Sequence, residues 1–139
     1  MALALGLTVA LSTASAPVYA DSDGLPPIQV KVSQGTDACP SGSLCLYDLP
    51  NFNAAGDARV VVLPILVTNL HAYGVGDAAD SVYCNRGSNC DLFDATGALG
   101  TRVFVPSGEA FNTLSSAVAV SPNGDRYTRD MRNRISSTR

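Results

Sequence analysis

The feature that most constrains this chain is an internal repeat. Cys39-Pro-Ser-Gly-Ser-Leu-Cys45, followed by Leu46-Tyr47-Asp48, has a counterpart in Cys84-Asn-Arg-Gly-Ser-Asn-Cys90, followed by Asp91-Leu92-Phe93-Asp94. A glycine-containing turn then leads to Arg59-Val60-Val61-Val62 in the first copy, and Gly100-Thr101 leads to Arg102-Val103-Phe104-Val105 in the second. Each copy closes with a polar turn and a short apolar stretch. These are Gly76-Asp77-Ala78-Ala79-Asp80-Ser81-Val82-Tyr83 and Phe111-Asn112-Thr113-Leu114-Ser115-Ser116-Ala117-Val118. The pattern implies one strand-rich unit used twice in a single domain.

β-branched and aromatic runs punctuated by Gly, Pro, Asn and Asp recur at short spacing, and no stretch of the body carries a helical period. The fold is therefore read as all-β, an antiparallel sandwich or Greek-key barrel. Pro64, inside Val60-Val61-Val62-Leu63-Pro64-Ile65, has no N–H for a ladder, so the strand is expected to bend or end there. Ile28-Gln29-Val30-Lys31-Val32 alternates as an edge strand would.

The ends of the chain differ from the body. Residues 1–20 form an apolar run that ends in Val18-Tyr19-Ala20, the pattern of a cleaved signal peptide. Ser12 to Ser15 interrupt it before the roughly 20 apolar residues that a membrane span needs. Residues 21–35, with Pro26-Pro27, read as an extended leader, 36–120 as the folded domain and 121–139 as a basic tail. From Asp21 to Gly124 ten acidic residues face four basic ones, whereas Asp125 to Arg139 hold five arginines and two aspartates. An acidic body excludes nucleic acid as the main partner, since phosphate binding needs a clustered basic face. The tail is read as a solvated, partly disordered or weakly helical extension. Four cysteines in an exported chain imply two disulfides, with three pairings open.

Cys39 to Asp48 (CPSGSLCLYD), the closing Gly76 to Cys84 (GDAADSVYC) and the repetition of both resemble the small secreted peptidase-inhibitor family typified by the Streptomyces metalloproteinase inhibitor. That family shares its fold with βγ-crystallin domains. The resemblance covers most of residues 36–120 and implies a βγ-crystallin-like double Greek key with local bridges Cys39–Cys45 and Cys84–Cys90. Loops this short gain only about 2 kcal/mol each in the chain-entropy model, so they stiffen a loop more than they hold up the fold.

The resemblance further implies that Cys84, Asn85, Arg86, Gly87, Ser88, Asn89 and Cys90 form an inhibitory loop, with Cys84–Asn85 as the attacked bond. The implied partner is an extracellular protease, and the protein is expected to be secreted, monomeric, off the membrane once the signal is removed, and not an enzyme. The departure is Asn85, where thermolysin-like enzymes want a bulky apolar residue. Arg86, held out on the loop, would suit a trypsin-like pocket instead.

Crystallin-type units also bind calcium through an Asn/Asp-Asn/Asp-x-x-Ser/Thr-Ser turn, because a hard cation gathers six or more oxygens. The first turn keeps Asp77 and Ser81 but begins with Gly76 and has Asp80 at the hydroxyl position; the second keeps Asn112, Ser115 and Ser116 but begins with Phe111. Each lacks its first oxygen ligand, so no resident metal or cofactor is expected. The alternative function is a crystallin-like structural or calcium-binding protein. No catalytic residue is expected: His71 is the only histidine, read as a solvated loop residue, no nucleophile-elbow motif is present, and disulfides take up all the thiols.

Overall fold

The computed structural model describes residues 27–139 and the short strand Val18–Tyr19; the rest of the expected signal peptide and leader lies outside the described residues. The strands are β1 Val18–Tyr19, β2 Ile28–Ser33, β3 Ser43–Tyr47, β4 Ala58–Leu63, β5 Ser81–Asn85, β6 Cys90–Ala95, β7 Leu99–Val105, β8 Ala110–Phe111, β9 Ala117–Val120, β10 Arg126–Arg129 and β11 Ser137–Thr138. They form two antiparallel sheets, ordered β1-β2-β4-β3-β5-β8 and β10-β9-β7-β6-β11. The strand β4 ends at Leu63, as Pro64 requires. Among the described residues no helix is long and apolar enough to cross a membrane.

Each unit lends a segment to the other's sheet. β8, from the second copy, pairs with β5 of the first. In return, Val67 of the first copy accepts from Thr138 N of β11 at 2.7 Å, and its own N–H donates to the Thr138 hydroxyl at 2.8 Å. The copies also exchange bonds directly: Asp77 N donates to Ile135 O and Asn133 N to Ala79 O, both at 2.9 Å. Leu70 N donates to Ser136 O, while Leu114 N donates to Asp80 O. Such reciprocity is what a pseudo-twofold axis between two Greek keys produces.

The core lies between the sheets. Leu44, Leu46, Val61, Leu63 and Val82 meet Leu92, Val103, Val105 and Ala119, with Leu70, Leu114, Met131 and Ile135 closing the ends. β3 is buried on both faces, because a second cluster of Cys45, Tyr47, Val60 and Val62 lies on its outer side under Phe52. Phe52 belongs to a folded turn in which Asn51, Phe52 and Asn53 all take left-handed backbone angles, with φ of 51°, 57° and 61°. That conformation costs roughly 1–2 kcal/mol for an ordinary residue, so the turn must be held from outside. The Phe52 ring meets Tyr47 edge-on at 5.5 Å. Ser81 accepts from Phe52 N and donates to Leu49 O. Asn53 is fully buried, with Nδ2 donating to Ser33 O, Ala58 O and Arg59 O and Oδ1 accepting from Leu49 N.

Two expectations are corrected. The segment 121–139 is no solvated tail: β10 extends the second sheet, and Met131, Ile135, Ser136, Ser137 and Thr138 are buried. Tertiary pairing decides here, because the final residues supply the last strand of the second Greek key. The second closing turn is also displaced. Ser137 accepts from Ala98 N and donates to Ala95 O, as Ser81 does with Phe52 and Leu49, so Ser137 and not Ser116 matches Ser81. Asn133 at φ 52° then matches Asp77 at φ 55°. The segment around Ala117 instead starts β9, which pairs with β7 outside the Greek key, as β2 pairs with β4 in the other sheet.

Candidate functional site

The disulfides are Cys39–Cys45 and Cys84–Cys90, with Cα–Cα distances of 5.8 and 6.1 Å. The first closes the entry to β3. The second closes the link from β5 in one sheet to β6 in the other, so it bridges the seam between the copies.

The two loops lie side by side. Asn85 donates through Nδ2 to Cys39 O at 2.9 Å, and Gly42 N donates to Asn85 O at 2.7 Å. The turn before β8 supports the other flank: Ser107 Oγ donates to Arg86 O, and Ser107 N donates to Asn89 Oδ1 at 3.0 Å. What remains exposed is Gly87, Ser88 and Asn89, beside an exposed Pro40-Ser41-Gly42. This combined edge is small, neutral and polar. The family resemblance pointed to the second loop; the part played by the first had no sequence signal, because it depends on how the copies dock.

One expected role meets a specific obstacle. Arg86 is not held out on the loop: Nη1 folds back onto Pro64 O at 2.9 Å and Gly42 O at 3.4 Å, so it is not presented to a trypsin-like pocket. The Cys84–Asn85 bond lies within β5, and the Cys84 carbonyl accepts from Gly108 N at 2.8 Å. That hydrogen bond occupies one of the oxygen's two lone pairs and leaves the other for an attacking group.

His71 is less isolated than its sequence context implies. Its Nε2 lies 3.1 Å from Ser136 Oγ and 3.6 Å from Asp77 Oδ2, while Ser136 Oγ donates to Asp77 Oδ1 at 2.9 Å. The constellation lacks the logic of a triad. The Ser136 hydroxyl has one proton and two acceptors besides the imidazole, Asp77 Oδ1 and, at 3.3 Å, Asp94 O, so its proton is not directed to His71. Both partners also sit on the same ring nitrogen, whereas a triad uses opposite nitrogens.

The crystallin-type turns do not fit calcium. Among the described residues no three His, Cys, Asp or Glu side chains are grouped to hold a metal ion. At the first turn a Cβ on Gly76 would lie 2.5–2.8 Å from atoms of the His71 ring, so the imidazole fills the space of the missing ligand. At the second turn the position matching Gly76 is Arg132, whose guanidinium pairs with Asp130 at 2.7 Å. That pairing holds the Asp130 carboxyl down at about 2. A fixed positive group repels a cation, even though Asp80 Oδ1 is buried without a hydrogen-bond partner.

The chain is similar to a solved structure described as "Evolution of the eye lens beta-gamma-crystallin domain fold", at a TM-score of 0.55 and 20% identity, covering 78% of this chain and 94% of that one. The fold is thus that of a βγ-crystallin domain, all-β with two disulfides. No protein-family model and no curated protein matches the sequence. At this identity the likeness speaks to fold alone.

Proposed function

We propose that the protein is a secreted binding module of the peptidase-inhibitor type that docks through the paired Cys39–Cys45 and Cys84–Cys90 loops. The observation that carries this reading is the fixed conformation of an exposed edge. Gly87–Asn89 faces solvent while the disulfide, Asn85, Ser107 and Arg86 tie the loop to three other segments. A segment already ordered avoids about 0.5–1.5 kcal/mol of ordering cost for each immobilised side chain, so main-chain contacts appear as affinity. The partner is an extracellular peptidase of the metalloprotease type, in line with the sequence resemblance. Docking uses the loop tip, with the Cys84–Asn85 bond kept in strand β5.

The test is titration of secreted metallo- and serine peptidases with the purified protein. Saturable inhibition of a metallopeptidase is expected. No inhibition by micromolar protein across the panel removes the proposal.

The alternative, a crystallin-like structural or calcium-binding protein, draws its support from the fold match. Calorimetry with calcium separates the two: neither binding heat nor a rise in Tm is expected, and a calcium-dependent rise in Tm would favour the alternative.

A further inference from the structure

The outer face of the second sheet is uncovered and mixes apolar and cationic groups. Register places Arg102 beside Val120 and Val120 beside Arg126, and the next position along sets Phe104 near Val118. Phe104 is 41% exposed and Val118 56%. Two shallow depressions open beside them, one of about 390 Å³ along Phe104 and Val118, the other of about 510 Å³ bounded by Arg102, Phe104, Val120 and Arg126.

The face is also electrostatically unbalanced. Among the described residues Arg126 has no ion-pair partner, while Arg102 and Arg139 share the single Asp91 carboxylate at 3.7 and 3.9 Å. This cationic patch sits on a chain whose net charge is −3. A second copy is a poor occupant, because twofold self-association would bring guanidinium groups toward guanidinium groups.

We propose that this face is a docking surface for an extended acidic peptide segment whose every second side chain, the set an extended strand turns to one side, mixes carboxylates with apolar groups. The apolar groups enter the depressions at Phe104 and Val118, and the carboxylates meet Arg102 and Arg126. Charge complementarity carries the choice of partner, and strand-parallel rows carry its extended form. The surface is independent of the disulfide loops.

The probe is the blocked peptide Ac-Glu-Ser-Leu-Ser-Glu-Ser-Phe-amide, which when extended turns both Glu, the Leu and the Phe to one side, followed by amide chemical shifts of the whole protein. Saturable shifts are expected at Phe104, Val118, Val120 and Arg126, with affinity falling at least about fivefold between about 50 and about 500 mM salt. The double variant Val118→Thr/Arg126→Gln should lose roughly tenfold in affinity at unchanged Tm, as expected for exposed positions. Cys84→Ser/Cys90→Ser should bind the probe as the wild type does, which separates this surface from the peptidase edge. Shifts absent up to millimolar peptide, or equal binding of Ac-Lys-Ser-Leu-Ser-Lys-Ser-Phe-amide, overturn the proposal. So does self-association abolished by Val118→Glu, or a preference of the same residues for phosphatidylserine vesicles.

Discussion

Asn53 shows how much one side chain can hold. It sits in the left-handed region, fully buried, with its amide satisfying three carbonyls and its oxygen one N–H. Asn53→Ala removes all four bonds and keeps the backbone penalty, so a loss of about 3 kcal/mol or more is expected in urea unfolding; a loss below about 1 kcal/mol would contradict the account. Tyr47, beneath the same turn, donates its hydroxyl to Gly35 O at 3.2 Å. Burial, helped by Tyr83 and Asp37, pushes its phenol up to about 12. The unfolded phenol ionises near 10, so the stability present below that pH is lost as pH rises from about 10 toward 12, by about 2–3 kcal/mol in all. Phenolate absorbance should show a late-titrating tyrosine that Tyr47→Phe removes.

At the scale of elements, the paired serines test the symmetry. Ser81→Ala and Ser137→Ala each unfasten a folded turn and should cost about 1–3 kcal/mol. Ser116→Ala, at an exposed site, should stay within about 0.5 kcal/mol. Equal losses at Ser116 and Ser137 would refute the assigned correspondence. The sequence made the first copy legible through its cysteines, its Arg-Val-Val-Val strand and Pro64, since each reports a local constraint. The second copy was legible only as far as Val105. The hairpin β9–β10 stands between its third and last strands, where the first copy has none, so Phe111–Val118 took the place of the true closing turn. Met131 and Ile135 are scattered among arginines without a strand period, and only long-range pairing reveals them as core. The docking of the first loop onto Asn85 was equally invisible, because it joins residues far apart in sequence.

Across the whole molecule, stability depends on the closing segment. Ile135→Ala should cost about 2–4 kcal/mol by leaving a void where the copies meet, read as a lower Tm and urea midpoint. The two sheets also fix the geometry on which the proposed docking rests, for Cys84–Cys90 spans from one to the other. The inhibition constant against a thermolysin-type metallopeptidase, wild type beside Cys84→Ser/Cys90→Ser, is the most direct measurement. The account predicts saturable inhibition by the wild type and at least about tenfold weaker inhibition by the variant while its β-sheet signature persists, the loss arising from ordering a loosened loop. Equal inhibition by both proteins would contradict it.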